Sequence, residues 1–360
     1  MSRSYRIALL SGDGIGPEIL EPCVEVMAAV LCDGPKLDHR WLPAGAGHYR
    51  DTGEALPEST MVEARAADAI LLAAMGLPEV RYPDGREIAP QLDLREELQL
   101  YAGFRPVRSI PGVGGPLSDP RGDRLDFVLI RESTEGLFAG RGRTRIAADG
   151  SSAEDTMVIT RSASERLFRA AFTEARRRKD RGGQGVVTCV DKANVLGGFA
   201  YFRSIFDEVA ADHPDIEARW SYVDATALNL VRNPWDHDVL VTENMFGDIL
   251  SDLGAALIGG MGMAPSADIG DDAAVFQPCH GTAPDIAGTG KANPTAMFLS
   301  GAMLLRWLGD RHDDRALAEA ADRLEAAVDR AFTSGLRSTE RGGPDGVTEI
   351  TAAVLAAIEH

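Results

Sequence analysis

Apolar residues recur along this chain in two rhythms. Residues 6–10, 69–75, 125–130 and 186–190 are short, nearly continuous apolar runs, the pattern of strands buried on both faces. Between them the spacing changes to every third or fourth residue, the pattern of helices with one buried face. It holds over 17–31, 57–67, 199–211 and 225–232. It is clearest over 164–179, where Leu167, Phe168, Ala171, Phe172 and Ala175 share a side. Strand, helix, strand at this spacing predicts an α/β sheet, mostly parallel and covered on both faces. A β-rich stretch at 156–160 predicts an exposed ribbon. The tail, 295–308, 315–333 and 347–358, predicts helices that form outer cover.

The stretch GDILSD at 247–252 organises the rest. An apolar strand-like run, 238–246, precedes it, and the pattern predicts a turn at Gly247 into a helix. Asp248 and Asp252 are four apart and share one helix face, while Leu250, Leu253 and Leu257 fall on the other. Two like charges at this spacing cost a helix roughly 0.2–0.5 kcal/mol. A first-turn position for Asp248 would offset part of that through the helix dipole. A hard divalent cation between the carboxylates would offset more. A solvated acidic face is the plainer reading of the pair.

Other candidate chemistry sits at element ends. SGDGIGPEIL (11–20) places three glycines in a turn before Pro17 opens a helix. The spacing is GxGxG, not the GxGxxG of a dinucleotide fingerprint, so a tight turn near a ligand is expected instead. Arg95, Arg105 and Arg131 stand at strand ends or beside breakers. Singly each reads as a surface charge; together they fit a polycarboxylate, because guanidinium forks bind carboxylates in bidentate fashion. Lys192 follows a strand, and reads as a salt-bridged lysine or, if partly desolvated, a proton-transfer group. Asp224 reads locally as a helix N-cap. A long Gly/Pro-rich loop, 276–296, has the character of a binding loop. The basic run 176–179 suits a helix C-terminus and needs no function.

Composition narrows the classes. At 360 residues the chain exceeds what one core usually holds, so two lobes are expected. Gly/Pro-rich breaks at 108–123 and 258–270 suggest that the middle forms one lobe and the two ends the other. Net charge is −18, which argues against a nucleic-acid footprint or an anionic membrane surface. A local arginine cluster still permits an anionic small substrate. The longest apolar run, 69–77, is too short to span a bilayer. Cys23, Cys32, Cys189 and Cys279 show no CxxC spacing and follow no secretory leader, so reduced thiols and a cytoplasmic location are expected.

Taken together the motifs resemble one family, the β-decarboxylating dehydrogenases, which include 3-isopropylmalate, isocitrate, homoisocitrate and tartrate/D-malate dehydrogenases. The residues that carry this are GDGIGPE at 12–18, the arginines of LDLR and FRPVR, IRESTEG at 130–136 and VDKANV at 190–195. YVDATA at 222–227, NMFGDILSD at 244–252, and HGTAPDIAG with KANPTA at 280–296 complete the set. They run in family order, and length and the cofactor loop are closest to the 3-isopropylmalate and tartrate/D-malate branch.

The resemblance implies a two-lobed, isopropylmalate-dehydrogenase-like α/β fold, non-Rossmann, with a central mixed sheet covered by helices. Residues 1–104 and 258–360 would form the NAD-binding lobe, and 105–257 the lobe of dimerisation, metal and substrate residues. It implies a homodimer with shared sites, in which Asp248 and Asp252 of one subunit and Asp224 of the other bind Mg²⁺ or Mn²⁺, against the N-cap reading of Asp224. Lys192, paired with Asp224, would move the hydroxyl proton. Arg95, Arg105 and Arg131 match the arginines that hold the malate carboxylates, and Gln91 and Leu92 the residues facing the C3 substituent. Ile15, His280, Gly281, Ala283, Asp285, Ile286 and Asn293 match the cofactor site. Asp285 and Ile286 stand where NADP-dependent relatives carry lysine and tyrosine, which implies NAD.

Three positions depart from the family pattern. Phe138 replaces a tyrosine that protonates the enolate carbon, so water or another group replaces it, or the chemistry stops at oxidation or decarboxylation. Gln91 and Leu92 replace apolar residues of the isopropylmalate enzymes, and burying an unpaired amide against an isopropyl group would cost on the order of 1–3 kcal/mol. Gln277 replaces a common glutamate near the nicotinamide. The expected activity is NAD-dependent oxidative decarboxylation of a 3-substituted malate. The rivals are a tartrate/D-malate dehydrogenase with a polar C3 pocket and a non-catalytic regulatory paralogue.

Overall fold

The computed structural model describes residues 3–32 and 34–358. The chain opens with β1 (Ser4–Gly12), α1 (Gly16–Leu31), β2 (Lys36–Trp41), α2 (Ala46–Thr52), α3 (Glu58–Ala66) and β3 (Ala69–Ala74). Next come α4 (Pro90–Glu97), β4 (Ala102–Arg108) and β5 (Asp126–Glu132), then a short ribbon of β6 (Arg145–Ile146) and β7 (Ala153–Glu154). The middle continues through α5 (Arg161–Asp180), β8 (Val186–Asp191), α6 (Gly197–Ala211), β9 (Glu217–Tyr222), α7 (Val223–Arg232), β10 (Val239–Thr242) and α8 (Asn244–Leu257). It closes with β11 (Pro265–Ile269), β12 (Ala274–Pro278), α9 (Thr295–His312), α10 (Arg315–Thr333) and α11 (Val347–Ala356).

Among the described residues ten strands form one sheet in the order β2-β1-β3-β12-β11-β4-β5-β10-β8-β9. Strands from the two chain ends fill one side and strands from the middle fill the other. Pairing is parallel on both flanks, but β11 runs antiparallel to β12 and β4, and β4 to β5. The sheet is therefore mixed, as the resemblance implied, and still mostly parallel, as the rhythm predicted, with six parallel pairings to three antiparallel. One apolar core gathers α1, α9, α10 and α11 on the side of the chain ends. A second packs the phenylalanines of α5 and α6 against β5, β8 and β10.

Several expectations are corrected. Helix α8 begins at Asn244, not at Gly247, because the Glu243 carboxylate accepts from the backbone amides of Met245 and Phe246 and caps it. Asp248 is thus beyond the first turn and gains little from the dipole. Asp224 is not an N-cap: α7 starts at Val223, and Asp224 lies inside its first turn. The ribbon forms at 145–154, while 156–160 contributes only an isolated bridge at Val158. Helix α9 is not outer cover. It is buried on nearly every side between the sheet and α10, and its apolar residues surround the axis rather than forming a stripe. Strand β2 and helix α2 carry no rhythm clear enough to have been expected.

Candidate active site

The motif residues bind the backbone into place before any of them reaches a ligand. Asp13, in the GDGIG turn, accepts from the amides of Ala46 and Gly47 (both 2.7 Å) and Gly76 (2.8 Å). Ile15 N donates to Thr282 O at 2.9 Å, and Thr282 Oγ1 to Gly76 O at 2.7 Å, which ties the long 279–294 loop to that turn. Glu135 accepts from Thr160 N and Oγ1 at the start of α5. Asp191 accepts from Ala193 N and twice from Arg203, and so shapes the turn that presents Lys192.

The result is a cavity of about 250 Å³ lined by Gln91 and Leu92 of α4, the three arginines, Phe138, Asp248 and Asp252 of α8, Gln277, His280 and Gly281. The three arginines converge as expected. Arg95 (α4) keeps both terminal nitrogens without a protein partner among the described residues; its Nε donates to Asp268 at 2.9 Å. Arg105 (β4) donates to Phe104 O, Ala267 O and Asp268. Arg131 (β5) donates to Asn244 Oδ1 at 2.9 Å and to Asp248, and its guanidinium sits 5.2 Å from the centre of the Phe138 ring. Burial and the neighbouring Arg95 charge push the Arg131 pKa down to about 10. Gly247 makes the approach of α8 possible: a Cβ there would lie 2.6 Å from Arg131 Cβ and Cγ.

Asp248 and Asp252 share the face of α8 turned to this cavity, and burial of Leu250 and Leu257 fixes that rotation, at roughly 1.5–3 kcal/mol each. Burial, then the Asp248 charge, raises the Asp252 pKa. Two crowded carboxylate groups with open oxygens suit a hard divalent cation. Among the described residues no three His, Cys, Asp or Glu side chains form such a cluster. Lys192 and Asp224 pair with each other, but neither lines the cavity of its own chain. Hydrogen bonding to Lys192 lowers the Asp224 pKa.

Of the expected cofactor residues, His280 and Gly281 line the cavity. His280 Nε2 is buried without a partner, and burial lowers its pKa. Ala283 takes φ +38°, a left-handed conformation, and Asp285 is exposed, while Ile286 leans on the core. Ile15 is buried and contributes through its backbone. The Asn293 amide is engaged by Glu340 and Thr295 inside the fold.

Asp268 escaped the reading of the sequence. It is fully buried, and it holds Arg95, Arg105, Ser133 and Gln277 together. Burial alone would raise its pKa, but Arg105, Arg95 and Arg131 outweigh this and hold it far below the carboxylate range. Its only signal was a charge in an otherwise small, apolar strand, which requires a buried partner. Gln277 therefore does not empty this wall of negative charge: its Nε2 donates to the Asp268 carboxylate at 2.9 Å.

A larger cavity, about 480 Å³, lies where Arg108, Arg178 and Arg306 face Asp126, Asp322 and Glu325. Three of its four arginines are paired, Arg108 to Asp329, Arg178 to Asp126 and Asp238, and Arg306 to Asp322 and Glu325, while the fourth, Arg181, is exposed. The smaller cavity, with unpaired guanidinium faces, is the better anion site.

Comparison with known proteins agrees with this geometry. The isocitrate/isopropylmalate dehydrogenase family matches residues 6–354. The 3-isopropylmalate/3-methylmalate dehydrogenase of Methanocaldococcus jannaschii is 41% identical over 342 residues, 94% of this chain and 94% of that protein. The 3-isopropylmalate dehydrogenase of Zymomonas mobilis is 40% identical, covering 98% of this chain and 99% of its own. The crystal structure of isocitrate dehydrogenase from Methylococcus capsulatus superposes with a TM-score of 0.86 at 37% identity, over 99% of this chain and 100% of that one. A β-decarboxylating dehydrogenase from Thermococcus kodakarensis, in its apo form, gives 0.79 at 36%, over 98% and 96%. The chain belongs to the isocitrate/isopropylmalate dehydrogenase family.

Proposed function

We propose that this member of the isocitrate/isopropylmalate dehydrogenase family catalyses NAD-dependent oxidative decarboxylation of a 3-substituted malate, with 3-isopropylmalate the first candidate. The observation that carries the reading is the convergence of Arg95, Arg105 and Arg131 with Asp248 and Asp252 on one cavity that runs to His280 and Gly281. The names of the relatives favour the same substrate.

Arg95, with its free fork, and Arg131 hold the malate carboxylates, and Arg105 braces them. Asp248 and Asp252, with Asp224 from a partner subunit, would hold Mg²⁺ or Mn²⁺, which would supply a Lewis acid for the hydroxyl and for enolate charge, and NAD would supply the hydride acceptor. Lys192 and Asp224 take the hydroxyl proton. Phe138 has no proton to give, and its ring instead covers the Arg131 guanidinium and excludes water from the carboxylate. Asp285 accepts from ribose hydroxyls and repels a 2′-phosphate.

The dimer is supported by an exposed apolar strip, Leu228 and Val231 on α7 and Ile249 on the adjacent α8, which a lone chain would leave in water. The lobes are taken as residues 1–104 with 258–360, and 105–257. A cytoplasmic enzyme is the simplest setting for this chemistry; among the described residues no helix is long and apolar enough to cross a membrane.

One observation favours a second reading, tartrate or D-malate. Gln91 Oε1 is buried without a hydrogen-bond partner beside the expected C3 substituent. The test is absorbance of reduced nicotinamide together with CO₂ release, with NAD and Mn²⁺, over 3-isopropylmalate, D-malate, tartrates and isocitrate. Reduction with 3-isopropylmalate supports the main reading. Silence across the panel, with NAD bound, overturns it in favour of a regulatory role.

A further inference from the structure

Asp268 sits mid-strand in β11, with both oxygens engaged. Oδ2 accepts from Arg95 Nε and Gln277 Nε2, both at 2.9 Å. Oδ1 accepts from Arg105 Nη2 at 3.1 Å and Ser133 Oγ at 3.0 Å. The room for it is built in. A Cβ on residue 103 would stand 2.9 Å from Asp268 Oδ1 and 2.5 Å from Ser133 Oγ, and Gly103 has none. The Arg95 guanidinium is thereby gripped by its Nε edge, which leaves its terminal nitrogens facing the cavity.

The charge count follows. Three guanidiniums face the cavity, and Asp268 cancels one of them from within the wall. Arg131 is further paired with Asp248. On the side of the C3 substituent the cavity offers Gln91 and Leu92, neither of them charged. The nearest further cation, Arg141 beyond Leu92, is already paired with Asp93, so a third carboxylate there would be desolvated with little compensation.

We propose that Asp268 is a positioning and specificity-determining residue: it orients the forks of Arg95 and Arg105 and cancels one positive charge. The site then accepts malates whose C3 substituent is uncharged and rejects those that bear a third carboxylate. This rests on the malate reading above and narrows it to dicarboxylates.

The test begins with the native protein, NAD and Mn²⁺, comparing malates with a C3 alkyl and a C3 carboxyalkyl group. Expected is at least a roughly 100-fold higher kcat/KM for the alkyl compound. Equal use, or preference for the third carboxylate, overturns the proposal. Calorimetric binding of the two compounds is measured alongside. If neither is oxidised, the functional reading fails, and the ranking of affinities still decides this inference. Asp268→Asn is expected to raise KM for the alkyl malate about tenfold with a smaller change in kcat, and to shrink the preference about tenfold. Adding Gln277→Glu returns a carboxylate within one hydrogen bond and should restore the preference. If Asp268→Asn does not fold, the double variant decides: folded with native preference, it supports charge setting; folded without it, it overturns it. A folded Asp268→Asn with native KM and preference also overturns the proposal.

Discussion

Two groups of charges meet at this cavity, and they are built in opposite ways. The arginine wall is closed within one chain: the Arg105 and Asp268 side chains are 6% and 0% exposed, and both Asp268 oxygens are engaged, while the Arg95 fork stays open to the cavity. The acidic side is open. The Asp248 and Asp224 side chains are 52% and 68% exposed, and neither Lys192 nor Asp224 lines its own chain's cavity. The first is preorganised around a buried counterion, as the proposed grip on a substrate carboxylate would require. The second leaves carboxylates open to solvent, where the proposed cation and partner subunit would complete it. A family site of this kind keeps its recognition in the subunit and, on our reading, assembles its chemistry between subunits.

The largest break in that comparison comes from the open side. Asp252→Asn should lower kcat/KM by on the order of 10³ or more, because it removes one of the two carboxylates that are proposed to hold the cation in this chain. It should leave melting unchanged or slightly raised, since it relieves repulsion with Asp248. Mn²⁺ titration by electron paramagnetic resonance supplies an activity-independent readout; native Mn²⁺ affinity in the variant would remove Asp252 from the cation site.

Sharing between subunits is tested next. Lys192→Ala and Asp252→Asn should each be inactive alone. Co-refolded one to one, they should regain roughly a quarter of native activity, because half the dimers are mixed and each has one intact site. No recovery, with mixed dimers verified by mass, would put Lys192 in the same chain's site.

Much of both halves was legible. The arginines, the acidic pair and the loop at His280 carry motif spacing, and periodicity found most of the strands and helices. Two kinds of feature were not. Asp268 makes contacts with residues 95, 105, 133 and 277, so nothing near it in sequence reveals its purpose. The start of α8 was misplaced because Gly247 reads as a turn, whereas its glycine serves close packing on Arg131 and Glu243 supplies the cap. Helix α9 was misjudged because a helix buried all round has no stripe to read.

Gly247→Ala sharpens the contrast from the closed side. The new methyl must displace Arg131 or lift α8, costing about 1–3 kcal/mol of stability. Activity should fall roughly tenfold or more, chiefly in KM, since the carboxylate grip moves before the cation ligands do. Thermal melting and steady-state kinetics read both. A native KM would mean that Arg131 tolerates the shift and that its placement is less strict than the packing implies.

The smallest effect concerns a group behind the arginine wall. Glu132 is buried next to Arg131 in sequence and accepts from Thr134 N, Thr134 Oγ1 and Glu135 N. Burial outweighs these bonds and pushes its pKa up to about 7. A carboxyl group raised in the folded state favours folding only while protonated. Its contribution is therefore complete below the unfolded value near 4.5 and is lost as pH rises towards 7. Between those limits stability should decline by on the order of 2 kcal/mol from this group alone. Glu132→Gln keeps the shape and stays neutral, so its unfolding free energy should lack that decline and cross the native curve between pH 5 and 7, although one accepting oxygen is lost. Urea unfolding at half-unit pH steps measures it. Parallel curves for the two proteins would mean that the three hydrogen bonds, rather than burial, govern Glu132, and that the closed half tolerates a buried charge without a cationic partner.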